Sequence, residues 1–469
     1  MPSLQDQSST ASAPAPSTSA VLIRGGAVLP MAGDGAQRTR LIPRGSVLMV
    51  GERIVAVGSV DEVDAHPLAA GAQVVQAAGH AVLPGLHNCH MHSGLLRGTA
   101  ESMSLFDWLE AYVDPAHRAM TPEIAAAASL VAYTENLRFG NTSVMDMWRF
   151  MDGSAAAADA VGIRATLVPY VADEEGYDYF ETLESNLALL KSHRTASNGR
   201  VRTWVGLEHL LYCTPQCFRD AMSLAEEYDT GLHTHSSESI WEVQESLKRF
   251  GRRPIEEFFN RGILSDRTVV AHCVWLDDRE IELMAQTGTS AVHCPCSNMK
   301  LASGPARVRD MRAAGISFGL GSDGEKENNN LDLFEEMKFA SLLQKVSTLD
   351  ATLGDPWDVL TMATIEGAAA LGLDDVTGSL EADKQADVVM VDLRKVQFVP
   401  TFLDHDQNIA AHLVFTASGS DVSSVWVDGR RLVEGGQVLS VDETSVMATG
   451  QAAAEELFER RAAILAARP

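Results

Sequence analysis

The sequence predicts an α/β protein: a (β/α)8 barrel of the TIM type, with a small β-sandwich domain formed from both chain ends. Three observations lead there. The middle of the chain alternates short β-branched apolar runs with longer stretches of helical period. Eight such strand-then-helix units follow one another, as in a parallel barrel. Both ends read instead as strand after strand, punctuated by glycine.

Taken in order, residues 1–20, "MPSLQDQSSTASAPAPSTSA", are rich in Ser, Ala and Pro. They lack an apolar centre and a basic start, so a flexible tail is expected rather than a signal peptide. Residues 21–82 carry "VLIRGGAVLP", "SVLMVGERIVAVGSV" and "AQVVQAAGHAVL". Together with 383–440, which hold "ADVVMVDL" and "SSVWVDGRRLVEGGQVLS", they are expected to form one composite β domain. Residues 83–382 are assigned to the barrel. Its first strand lies in "PGLHNCHMHSG", and the other seven are expected at 141–147, 164–170, 201–211, 230–238, 267–276, 290–298 and 316–324. Helical text such as "TPEIAAAASLVAYTENLRF" and "TPQCFRDAMSLAEEY" separates them. "PWDVLTMATIEGAAALGL" reads as one helix after the barrel, and 441–469 as a C-terminal helix.

The formal charge of −26 repels phosphate backbones, which argues against nucleic acid as a partner. No apolar run approaches about 18 residues, so no membrane span is expected. Six cysteines occur without a CxxC pair, inside apolar text. Reduced, buried thiols in a cytoplasmic protein are expected. The expected partner is a small-molecule substrate, and the default assembly is a symmetric homo-oligomer, a dimer or higher.

Polar residues gather at the carboxyl ends of the expected barrel strands, where this fold carries its chemistry. They are His90, His92, His209, His235, Glu238, His272, His293 and Asp323. A lone histidine is more often structural than a ligand, but these fall at strand ends in order around a barrel. Imidazole and carboxylate together suit zinc, and would also accept iron or cobalt. On the first strand Asn88, His90 and His92 stand two residues apart, on one face of an extended chain. His90 is expected to bind the ion, paired with either His92 or Asn88. Others have blander readings. His66, His80, His117, His193 and His405 lie in polar text and are expected at the surface. Cys294 and Cys296 share a strand face. Trp108 and Phe106 fit helix spacing, although their segment follows the first strand and could line a pocket.

These motifs resemble the amidohydrolase superfamily, in the branch of cytosine deaminase, methylthioadenosine deaminase and the s-triazine hydrolases, over residues 21–440. "VLPG…NCHMH" resembles its first-strand signature. "LHTHSSE" resembles its strand-5 His-x-x-Glu, which selects His235 over His233. "VAHCV" carries His272, "HCPCSNMKLASG" is the strand-7 motif, and "GSDGEKENNN" carries Asp323. "LEHLLYCTP" is similar to the stretch supplying a substrate-contacting histidine, here His209. The resemblance implies His90, His92, His235 and Asp323 as metal ligands, with Asn88 the alternative to His92. It implies Glu238, His272 and Asp323 as catalytic residues. A bound ion lowers the pKa of water, Asp323 and His272 orient that water and take its proton, and Glu238 passes a proton to a leaving nitrogen. No lysine ends the fourth strand, so one divalent ion, zinc first among the candidates, is expected.

One departure matters. Only Ser93 to Leu96 separate His92 from Arg97, two residues fewer than the family usually places there. Counted back from Arg97, the His-x-His slots fall on Asn88 and His90. Counted forward from Pro84, they fall on His90 and His92. An Asn-x-His site resembles bacterial phenylurea hydrolases and molinate hydrolase. The leading expectation is therefore cleavage of the C–N bond of an N-aryl urea, or of a related carbamate or thiocarbamate. The alternative is a deaminase or dechlorinase of an aromatic heterocycle, of the methylthioadenosine/adenosylhomocysteine or s-triazine type. A metal-free scaffold would have lost ligands, whereas each candidate is present. Glu325, Lys326 and Glu327 replace small polar text of the family after Asp323. Glu327 is named with His209 and Trp108 as a substrate-binding residue, against the bland reading of a solvated loop.

Overall fold

The computed structural model describes residues 20–103 and 108–467. Residues 1–19 of the expected tail lie outside them, as does Phe106, whereas Ala20 already opens a strand. Eight parallel barrel strands run Leu86–Met91, Asn141–Trp148, Arg164–Pro169, Val205–His209, Leu232–Ser236, Thr268–His272, Ser290–His293 and Phe318–Leu320. They neighbour one another in chain order, and the eighth returns to the first, with Leu320 opposite Asn88. The ring closes through a divided fourth strand. Its first piece, Val201–Thr203, pairs with the third strand, and Val205–His209 pairs with the fifth. Between the pieces the Trp204 N–H donates to the Leu167 carbonyl.

Local chemistry sets the helix starts. Thr121 accepts from the Ile124 N–H ahead of Pro122–Arg138, and Thr214 accepts from the Cys217 N–H ahead of Pro215–Glu227. Each places a proline in the first turn, where no amide is needed. Proline also corrects one expectation. "SAVHCPCSN" is not one strand: the ladder stops at His293, and Pro295–Lys300 is a helix. Cys294 and Cys296 therefore do not share a strand face. The expected helix after the barrel is two, Pro356–Ala363 and Ile365–Ala370, broken at Thr364 with φ −124° and ψ −103°.

The chain ends build one nine-stranded sheet. Five of its strands come from residues 20–84 and four from residues 388–438, joined where His80–Pro84 runs antiparallel to Val388–Asp392. The C-terminal helix, Glu443–Ala466, packs on the barrel helices Asp114–Ala119 and Pro122–Arg138.

Barrel and sheet are locked by a buried ion cluster. Arg164, first residue of the third barrel strand, donates to both oxygens of Asp387 at 2.6 and 3.0 Å and also bonds Asp428. The Arg164 and Asp387 side chains are 5% and 0% exposed. Removing one partner strands a buried charge, so Asp387→Ala should cost about 3–5 kcal/mol. Urea unfolding of the variant checks this, and a loss below about 1 kcal/mol would show the pair to be weakly coupled to the fold.

His87 lies buried on the first strand with neither ring nitrogen hydrogen-bonded. Burial pushes its pKa down to about 4. Unfolded, an imidazole titrates near 6.5. Between those values the unfolded chain binds a proton that the folded chain refuses, so this stability is complete above about pH 6.5 and falls as pH drops toward 4. The loss should approach about 3 kcal/mol by pH 4. In His87→Leu, the decline of the urea midpoint between pH 6.5 and 4.5 should be visibly shallower than in the parent.

Candidate active site

The carboxyl ends of four strands carry the polar cluster. His90 and His92 come from the first strand and the residue beyond it, His235 from the fifth, His272 from the sixth, and Asp323 from the turn after the eighth. His90 Nε2 and His92 Nε2 stand 3.6 and 3.4 Å from Asp323 Oδ1. His92 Nε2 is 3.3 Å from His235 Nε2, and His272 Nε2 is 3.8 Å from Asp323 Oδ2. All five residues are buried. His272 and Asp323 hold positive φ angles of 71° and 59°. Such strain in non-glycine residues concentrates where a site dictates side-chain direction.

Hydrogen bonds behind the rings decide which nitrogen faces inward. His92 Nδ1 donates to the Met147 carbonyl at 2.7 Å, and His235 Nδ1 donates to the Glu208 carbonyl at 2.7 Å. A carbonyl can only accept, so both protons sit on Nδ1. His90 needs one more step. His233 Nδ1 donates to the Val269 carbonyl at 3.0 Å, which leaves His233 Nε2 to accept from His90 Nδ1 at 2.8 Å. Burial holds His90, His92, His233 and His235 below the ordinary imidazole pKa, so they are neutral. The Nε2 lone pairs of His90, His92 and His235 thus face one another, with the Asp323 carboxylate beside the first two.

This donor set fits a divalent cation. Lone pairs 3.3 Å apart repel unless a positive ion lies between them, and His90 Nε2 is buried without a hydrogen bond. Ligand imidazoles oriented through Nδ1 are the usual support of such an ion. His90, His92 and His235 lie close enough to share one, as do His90, His272 and Asp323.

Asn88 stands outside this cluster. Its amide nitrogen donates to Asn136 Oδ1 at 3.0 Å and Ser322 Oγ at 2.7 Å, and its oxygen accepts from the Ser322 N–H at 3.0 Å. The same-face expectation for Asn88, His90 and His92 fails because the strand is not regular. Asn88 pairs with Val144 but Met91 pairs with Asp146, three steps against two. The bulge turns the chain beyond Asn88, so His90 and His92 face the centre while Asn88 clasps the eighth strand.

A narrow cleft, partly open to solvent, leads to the cluster. Glu238 lies on its wall, with Oε2 3.9 Å from His272 Nε2 and Oε1 accepting from the Ser303 hydroxyl at 3.2 Å. Its backbone is fixed by Glu242, which accepts from the Ser237 and Glu238 N–H groups. His209 and Trp108 also line the cleft. Burial would depress His209, but the Glu208 carboxylate, 2.7 Å from Nδ1, raises it to about 9. Glu325, Lys326 and Glu327 are not a solvated loop. All three are buried, Glu325–Asn328 is a helical turn, and Lys326 Nζ lies 2.5 Å from Glu327 Oε1 inside the cleft. Burial pushes Glu327 up to about 8 even beside Lys326.

Sequence reasoning missed His233, Asn298 and Ser297. Asn298 Oδ1 faces His272 Nδ1 at 3.1 Å, and Ser297 donates to Asp323 Oδ2 at 2.7 Å. The signal was present: His233 and His235 alternate on one strand, and "SN" opens the helix after the seventh. His80 and His117, expected at the surface, are 6% and 3% exposed. His117 packs against the Trp148 and Tyr170 rings, which its polar sequence neighbours hide. All six cysteines are buried and unpaired.

Comparison with known proteins agrees with this geometry. The profile of the amidohydrolase family matches residues 81–432. A 5'-deoxyadenosine deaminase of Methanosarcina mazei is 36% identical over 94% of this chain and 99% of its own. The crystal structure of an adenosine deaminase from Xanthomonas campestris with bound zinc superposes with a TM-score of 0.86, at 29% identity over 94% of this chain and 98% of that one. An atrazine chlorohydrolase from Arthrobacter aurescens complexed with zinc superposes at 0.83, with 26% identity over 92% and 100%. These likenesses overturn the expected N-aryl urea cleavage. The full-length likeness is to a deaminase, and the Asn88 register that suggested phenylurea and molinate hydrolases is not the one the strand adopts.

Proposed function

This chain belongs to the amidohydrolase family, and on that premise we propose that it deaminates a 6-aminopurine nucleoside of the 5'-deoxyadenosine type. It is a metal-dependent hydrolase of carbon–nitrogen bonds. The proposed reaction replaces the exocyclic amino group with oxygen from water and releases ammonia. The observation that carries this reading is the 36% identity to a 5'-deoxyadenosine deaminase across nearly the whole of both chains.

The ion is a single divalent cation, zinc in this reading, which His90, His92, His235 and Asp323 would hold. When bound it supplies Lewis acidity and makes a water at the site more acidic. The protein's own groups supply the rest. Asp323 and His272 orient the water and accept its proton. Glu238 lies within reach of the same centre and carries a proton to the departing nitrogen. His209, charged beside Glu208, donates to an acceptor on the substrate ring. Trp108 and Glu327 contact substrate along the cleft. Six buried, unpaired thiols support a reducing, cytoplasmic setting.

A second reading, displacement of chlorine from a triazine ring, is favoured by the chlorohydrolase likeness. Zinc-loaded protein incubated with 5'-deoxyadenosine and, separately, with atrazine distinguishes the two. Ammonia release from the nucleoside is the expected result. Chloride release from atrazine, with the nucleoside untouched, would overturn it.

A further inference from the structure

One wall of the cleft is made by Trp108–Val113, a turn of π-helix that contributes Trp108, Leu109 and Val113 to the lining. A π-turn inside a helical stretch is rare, costs hydrogen bonds and tends to mark functional positions. Two of its carbonyls accept from the far end of the chain. Arg461, on the C-terminal helix, donates from Nη2 to the Ala111 carbonyl at 3.0 Å and from Nε to the Tyr112 carbonyl at 3.2 Å. The same guanidinium lies over the Tyr112 ring at 4.1 Å. Phe458, one turn back, meets the other edge of the contact, its ring centroid 6.5 Å from that of Tyr112. Arg460 donates to the Ala119 carbonyl at 2.8 Å, where the following helix ends.

One helical turn of residues 458–461 therefore grips the outer side of the segment whose inner side faces substrate. Trp108 is 4% exposed, and Lys326 Nζ lies 5.7 Å from its ring centroid. The wall is thus held between the Lys326 side chain within the cleft and Arg461 outside it. A planar fork suits this task, because two donors on one rigid group fix two successive carbonyls at once.

We infer that Arg461 is a positioning residue for substrate: it acts through Ala111 and Tyr112 to hold the Trp108 wall of the cleft in its binding position. This rests on the proposed deaminase reading only for the choice of substrate. Without the fork, the wall must be ordered on each binding event. The loss should appear in KM, because Arg461 touches neither the metal ligands nor Glu238.

The test compares zinc-loaded full-length protein with Arg461→Ala and Arg461→Lys, assayed with 5'-deoxyadenosine. In Arg461→Ala, KM should rise by roughly five- to tenfold, the cost of ordering one or two wall side chains, with kcat within about twofold. Arg461→Lys keeps the charge over Tyr112 but loses the fork, and should recover only part of the affinity. Amide hydrogen exchange over residues 108–119 should quicken in Arg461→Ala while the barrel strands exchange as before. That second measurement needs no substrate, so it stands if the nucleoside is not turned over. Should Arg461→Ala fold poorly, the Lys variant and its exchange pattern carry the test. Unchanged exchange over 108–119, or unchanged KM for a substrate that is turned over, overturns the inference.

Discussion

Glu238→Gln should keep its metal ion and lose kcat by about 10²–10⁴-fold, the usual span for removal of a positioned proton-transfer group. The substitution preserves shape and leaves the acceptor for the Ser303 hydroxyl, which bonds Glu238 Oε1 at 3.2 Å. What it removes is the ability to take up and give back a proton at Oε2, the oxygen facing His272. Glu242 holds the backbone at Ser237 and Glu238 independently of that side chain, so the local fold should survive. Zinc content by elemental analysis and turnover of 5'-deoxyadenosine are the two measurements. A variant with full zinc and more than about a tenth of the parent kcat would remove Glu238 from the chemistry.

The second large effect separates two neighbours on one strand. His92→Ala should lose the metal, and with it essentially all activity, because His92 Nε2 stands between Asp323 Oδ1 at 3.4 Å and His235 Nε2 at 3.3 Å. Asn88→Ala should retain about one ion per chain, as a complete set of protein ligands does. Its cost should fall on stability instead. The Asn88 amide makes one donor and one acceptor bond to Ser322 across the seam between the first and eighth strands, and a second donor bond to Asn136 on the helix Pro122–Arg138. Leaving those buried partners unsatisfied should cost about 2–4 kcal/mol. Elemental analysis after dialysis, with urea unfolding of the same samples, reads both. A metal-free Asn88→Ala beside a metal-replete His92→Ala would reverse the assignment.

Much of this was legible from spacing. Strand ends carrying His90, His92, His235, His272 and Asp323 could be placed because parallel barrel strands are short and their apolar runs distinct. The β domain shared between the chain ends was legible for the same reason. What stayed hidden was irregular backbone. The bulge between Asn88 and Met91 breaks the two-residue period on which the same-face reading of three polar groups depended. Proline at 295 converts the end of an apolar run into a helix, a local rule that a longer pattern masked. Burial of Glu325, Lys326 and Glu327 could not be read either, since charged text reads as solvent-facing until its partners are known. The N-aryl urea expectation fails for a related reason: it rests on the Asn88 register, which the bulged first strand does not adopt.

The terminal sheet has a consequence for how the molecule is made. His80–Pro84 finds its antiparallel partner only at Val388–Asp392, about 300 residues later. A ribosome adding about 5–20 residues per second needs roughly 15–60 s to cover that distance. Throughout that interval the amino-terminal strands wait with one edge open, while the barrel between them emerges and can begin to close. Nascent chains stalled before residue 388 should accordingly be held by chaperones, and release should follow once the last four strands arrive. The arrangement that joins both ends into one sheet makes completion of the product a condition of hiding its first strands.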